Sequence, residues 1–125
     1  MNFDWNEYLI HAKELSGTTQ QKCTCKEALL RSSISRAYYS VFIQTRNKLE
    51  NTFNKHYGPH GVHKAVRDDL DSVNRPLYTQ LSTVLSGMSI SRNRADYNNI
   101  LKQPERVVNW QLTQASIASK ILSQI

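Results

Sequence analysis

From Leu30 to Leu49 the chain repeats apolar or small residues at steps of three and four: Leu30, Ile34, Ala37, Tyr38, Val41, Phe42, Thr45 and Leu49. That spacing is the period of an α-helix with one continuous inward stripe. Beside it runs a narrower line, Arg36, Tyr39, Ile43 and Arg46, again three or four apart. Such a flank mixes aromatic surface with positive charge and suits a partner chain or RNA. The blander explanation, that both lines are two sides of a central helix packed all round, is the commoner arrangement.

The flanking pattern predicts more helices. Asp4 with Glu7 three residues on makes a capping box, and Phe3 and Tyr8 are spaced for a hydrophobic staple. Trp5, Tyr8, Leu9, Ala12 and Leu15 would then form the buried stripe of a first helix ending at Gly17. Thr24 and Glu27 make a second capping box, so the central helix is expected from about Cys25 to Phe53. Val62, Ala65, Val66, Leu70 and Val73 outline a short third helix, with Asp68, Asp69 and Asp71 on its solvated side. Pro76 fits the first turn of a fourth, whose stripe is Leu77, Leu81, Val84, Leu85 and Met88; Gly87 weakens it, and Asn98 and Asn99 can close it. Pro104 and Glu105 open a last helix through Val108, Leu112, Ala115, Leu122 and Ile125. Nothing alternates as a strand would. The expected fold is an all-α, up-and-down bundle of four principal helices plus a short one, in a single domain over residues 1–125.

Charge sharpens this picture. The formal net charge is +6, and between Lys22 and Arg67 nine Lys or Arg face only Glu27 and Glu50. Such a field attracts phosphate or an acidic protein surface, although a basic chain alone is weak evidence for nucleic acid. No apolar run approaches the ~20 residues needed to cross a bilayer, and MNFDWNEYLI does not read as a secretion signal. A cytoplasmic protein with no membrane contact is expected. Cys23 and Cys25 are too close for a disulfide and make only half a zinc site, so reduced thiols are expected. Cys25, in a first helical turn, is a conceivable redox handle, but a small residue near a cap usually carries no chemistry.

Phosphate loop, zinc-protease helix, nucleophile elbow and dinucleotide fingerprint are all absent. His56, His60 and His63 crowd the loop NKHYGPHG, but Gly58, Pro59 and Gly61 break any helix that would align them, and no thiol or carboxylate lies alongside. No metal and no cofactor is expected; a histidine facing phosphate or moving a proton fits this basic stretch better. The remaining candidate is SRNRADYNN. There Arg92 and Arg94 could hold phosphate, Tyr97 could donate or stack, and Asp96 could orient or accept a proton. A structural role competes and outweighs it: Asp96 could simply pair with Arg36 of the central helix.

SRAYYSVF on the central helix, HGVHKAV after it and RNRADY near the end of a later helix together resemble the HEPN family, particularly its short stand-alone bundles with an Ala-Asp-Tyr ending. The resemblance runs from Trp5 to the last helix. It implies a helical bundle that forms a homodimer, of the kind found in prokaryotic toxin/antitoxin pairs, phage defence and CRISPR-associated proteins. Many members are metal-independent ribonucleases with an Arg followed four to six residues later by a His, paired across a dimer cleft. The Arg would stabilise the phosphorane and the His would take the ribose 2′-hydroxyl proton. This chain departs from that pattern: Asn93, Arg94, Ala95, Asp96 and Tyr97 follow Arg92, and no His occurs downstream. Asp96 stands near the missing position but is the weaker base unless burial raises its pKa. A histidine of the 56–63 loop would otherwise have to arrive in space. Other members catalyse nothing and bind a nucleotidyltransferase partner. Two readings therefore stand. One is RNA binding with metal-independent endoribonuclease activity at Arg92, Asp96 and Tyr97, with Arg36, Arg46, Arg94, His60 and His63 contacting RNA. The other is a non-catalytic partner of a nucleotidyltransferase or a larger defence assembly.

Overall fold

The computed structural model describes residues 3–17 and 26–125, apart from the side chains of residues 7 and 8. It is an all-α bundle of five helices: α1 (Asn6–Ser16), α2 (Lys26–Phe53), α3 (Val62–Ser72), α4 (Pro76–Tyr97) and α5 (Pro104–Gln124). Among the described residues there is no strand, and no helix is long and apolar enough to cross a membrane. Thr24 and Cys25, with the capping box and the thiol argument that involve them, lie outside the described residues, as does Cys23.

α2 forms the spine because its stripe faces two helices at once, packing against both α4 and α5. Tyr38, Val41, Phe42 and Leu49 meet Val66 and Leu70 of α3, Tyr78, Leu81, Val84, Leu85 and Met88 of α4, and Ala118 and Ile121 of α5. Each large apolar side chain removed from water this way contributes about 1.5–3 kcal/mol. Ile34, Ala95, Leu101 and Val108 continue the core toward the far end. Gln111 is fully buried at the junction of the three long helices, and its amide donates to Ile34 O and Met88 O at 3.1 Å each.

Helix ends follow local chemistry. Gly17 takes the left-handed conformation, φ 73°, and its N–H closes on the Lys13 and Glu14 carbonyls. Pro76 and Pro104 occupy first turns, where a missing N–H costs nothing. The Asp4 carboxylate accepts the Asn6 N–H at 3.0 Å, two residues on rather than the three of the expected capping box, and the N-cap position falls to Trp5. The expected staple of Phe3 with Tyr8 lies outside the described side chains; Phe3 meets Trp5 edge to face, with centroids 5.0 Å apart.

Three expectations about faces are corrected. The α1 stripe is not buried: Leu9 and Leu15 are more than half exposed and Ala12 is exposed, because α1 is held mainly at its start, where Phe3 N–H donates to Asn99 O and Trp5 Nε1 to Asn99 Oδ1. Leu112 is about half exposed beside His11 and Leu29, and the inward position is taken by Gln111, whose two hydrogen bonds make its burial tolerable. Asp69 is not on a solvated face. It accepts hydrogen bonds from Lys55 Nζ and Tyr57 OH, tying the loop before α3 to that helix. Burial alone would raise its pKa, but those two partners outweigh burial and hold it low.

Candidate functional site

Arg92 shares its α4 face with Leu85, Met88 and Ala95, at spacings of three and four, so the fold of the helix turns it inward toward α2. Its side chain is only 10% exposed. The guanidinium carbon lies 5.2 Å from the Tyr39 ring centroid, 5.6 Å from Tyr38 and 5.9 Å from Tyr97, a cage of three π faces. Among the described residues its one hydrogen bond, from Nη1 to Asp96 Oδ2, is long at 3.4 Å, and Nε is buried without a partner. A guanidinium offers five N–H donors in a fork that matches phosphate. Most of that capacity is unspent here.

The histidine arrives from α3. His63, in the first turn of that helix, stacks on Phe42 with centroids 4.2 Å apart, and its Nδ1 is 2.6 Å from the Tyr38 hydroxyl oxygen. It also meets Tyr39 edge to face at 6.0 Å, so Arg92 and His63 share the same two tyrosines. Burial lowers the His63 pKa, and the positive charges of Arg92 and Arg67 lower it further. The imidazole is neutral at neutral pH, and Nε2 is the nitrogen left for a ligand. Tyr38 is shifted the other way: burial raises its pKa, although a Ser89 hydrogen bond and the cations Arg67 and Arg92 pull it back.

The remaining expected residues divide. Asp96 and Tyr97 belong to the cluster, Tyr97 as a 71% exposed rim. The expected Arg36–Asp96 ion pair is not formed. Asp96 Oδ2 is taken by Arg92 and by the Ser35 hydroxyl at 3.3 Å, both closer along the helix faces that meet, while Arg36 is exposed and shares only a groove of about 270 Å³ with Asp96 and His11. Arg46 points two turns along α2 and pairs with Glu50 at 3.5 Å. His60 is exposed in the loop, outside the cluster. Arg94, two residues past Arg92 and so roughly 200° further round α4, faces a different groove with Lys102, Arg106 and Trp110.

Two contributors were not foreseen. Arg67 lies four residues after His63 on α3, a spacing that signals a shared helix face. Ser89 carries no sequence signal beyond its place on α4. His63 is expected from the sequence as an RNA contact and, with the other histidines of the 56–63 loop, as the stand-in for the missing base; of the three it is the one that shares Tyr38 and Tyr39 with Arg92. Among the described residues no group of three or more His, Cys, Asp or Glu could hold a metal ion.

Chemically, the cluster pairs an anion-binding guanidinium with a neutral imidazole across an aromatic wall. Such a pair can hold a phosphodiester and move a proton beside it. No family model, curated protein or solved structure matches this chain.

Proposed function

We propose that this protein is a HEPN-type RNA-binding bundle of a prokaryotic toxin/antitoxin or defence system, and that it cleaves RNA without a metal ion. The observation that carries the reading is the meeting of Arg92 and His63 on the Tyr38–Tyr39 pair, which supplies in space the histidine that the sequence lacks after Arg92. Arg92 holds a non-bridging phosphate oxygen and stabilises the charge of the phosphorane. In the Nδ1–H tautomer, which donates to the Tyr38 oxygen 2.6 Å away, His63 Nε2 takes the proton of the ribose 2′-hydroxyl. The 2′-oxygen attacks phosphorus, the 5′-oxygen leaves with a proton returned by the imidazolium, and the products are a 2′,3′-cyclic phosphate and a 5′-hydroxyl. Asp96 orients Arg92, and Tyr97 on the rim stacks a base.

Tyr39 and Ile43, each more than a third exposed beside this site, suit the face of a homodimer whose two sites share one cleft. The burial of Arg92 favours one alternative, a non-catalytic bundle whose aromatic flank binds a nucleotidyltransferase or a larger defence assembly. Incubation of the purified protein with defined single-stranded RNA in EDTA separates the two. Cleavage that survives chelation and is lost in both Arg92→Ala and His63→Ala, with each variant still folded, supports the nuclease. Intact RNA with all three proteins removes the enzyme reading and leaves the partner reading, to be pursued by co-purification.

A further inference from the structure

A second surface has the chemistry of a ligand site and takes no part in the Arg92 cluster. Along the C-terminal half of α4 and the start of α5 runs a groove of about 470 Å³, joined by a neighbouring lobe of about 410 Å³ that shares Ser91, Arg94, Lys102 and Val107 with it. Arg94, Lys102 and Arg106 line the main groove, and no carboxylate lines either lobe. Among the described residues none of these three cations has a carboxylate partner; Arg106 reaches only Gln103 Oε1, at 3.5 Å.

The floor is aromatic. Trp110 is 43% exposed and Ile90 52%, unusual amounts of large apolar surface to leave beside three unpaired cations. Gly87 suits the placement of the ring: a Cβ there would stand 3.0 Å from Trp110 Cη2, so a larger residue would make the indole give by a few tenths of an ångström. The weak point in the α4 sequence is thus a seat for Trp110.

We propose that this groove binds single-stranded RNA, with a base stacked on Trp110 and the adjoining phosphates held by Arg94, Lys102 and Arg106. Charge complementarity selects the phosphates, and the indole face accepts any base. A strand fits better than a free nucleotide, because the two adjoining lobes share four lining residues and carry three cations, more than one phosphate needs. The RNA class rests on the reading given under Proposed function, but binding here is measured apart from cleavage.

Trp110 is its own reporter. In an Arg92→Ala, Trp5→Phe background, where the proposed cleavage is disabled and one tryptophan remains, titration with a uridine octamer should quench Trp110 fluorescence. UMP at equal nucleotide concentration should not. In an Arg92→Ala background that keeps both tryptophans, followed by fluorescence anisotropy of a labelled octamer, Trp110→Leu should weaken binding about tenfold. Arg94→Ala and Lys102→Ala should each reduce the salt slope of log affinity by about one. Gly87→Ala, which displaces the ring while favouring helix, should weaken binding less than Trp110→Leu and raise the thermal midpoint. An octamer that leaves Trp110 unquenched, or affinity unchanged in Trp110→Leu and Arg94→Ala, overturns the site. Quenching by UMP equal to that by the octamer overturns the strand. If the parent protein cleaves no RNA yet the octamer still quenches Trp110, the nuclease reading fails and the groove stands.

Discussion

Among the described residues two arginines are buried, and they are employed differently. Arg31 of α2 has no exposure at all. Its Nη1 donates to Ala95 O at 2.8 Å and Asn98 O at 2.6 Å, Nη2 to Asn99 O at 3.4 Å, Nε to Glu27 at 3.2 Å, and Phe3 lies 4.4 Å from the guanidinium carbon with Trp5 at 5.1 Å on the same group. It closes the end of α4, where the last carbonyls have no helical partner and the dipole favours a cation. Arg92 is nearly as buried but has one long hydrogen bond and an orphaned Nε. Arg31, with four of its five N–H donors used, is part of the frame; Arg92, with most of its donors idle, is the one that the proposed function gives to an anion. The fold tolerates the second because three tyrosine faces partly replace the lost water.

Replacing Arg31 should give the largest effect. Arg31→Met keeps the length of the side chain but removes the guanidinium donors to Ala95 O, Asn98 O and Asn99 O, the last of which keeps the Phe3 N–H, and unfolding in urea should show a loss of about 3 kcal/mol. A loss under about 1 kcal/mol would mean that water replaces the guanidinium freely and that Arg31 is not a cap. Arg92→Ala should cost only about 1 kcal/mol, since Asp96 can turn to solvent, yet it should abolish RNA cleavage. Equal destabilisation by the two substitutions would erase the distinction drawn here.

The distinction was only half legible in the sequence. Helical period placed the central stripe from Ile34 to Leu49 and put Pro76 and Pro104 at helix starts, because those signals are local. It missed Arg31, although Glu27 four residues before and Ile34 three after place it on the inner face, because charge argues for solvent until a cluster of waiting carbonyls is seen. It paired Asp96 with Arg36 rather than Arg92 because sequence gives no angle between two helices. Leu9, Leu15 and Leu112 were read inward for the same reason: period defines a face but not what covers it. His63 and Arg92, 29 residues apart, reach the same two tyrosines through the packing of α3 against α2 and α4, which no spacing rule encodes.

A smaller effect comes from the tyrosine that joins Arg92 and His63. Tyr38→Phe removes the hydroxyl bonded to His63 Nδ1 but keeps the ring in the core and under Arg92, so stability should fall by about 1 kcal/mol. As a positioning residue, Tyr38 should show itself in kcat rather than KM, because the imidazole loses its orientation while the phosphate keeps its guanidinium. A change confined to KM would assign Tyr38 to binding and weaken the proton-transfer role of His63.

The finest test is the pH dependence of stability. The folded-state pKa of His63 lies below the ordinary value of 6.5, first through burial and then through Arg92 and Arg67. In the window between the lowered value and 6.5 the unfolded chain binds a proton that the folded chain refuses, so stability rises with pH there. The contribution is fully present above pH 6.5 and is lost as the pH falls through that window. Urea midpoints of wild type should therefore drop on acidification from pH 7, and His63→Asn, which cannot take up the proton, should drop less. Removing the Arg92 charge should bring the His63 pKa closer to 6.5 and flatten the wild-type slope. Parallel curves for wild type and Arg92→Ala would mean that the guanidinium does not reach the imidazole, and the waiting arginine would then have no histidine to work with.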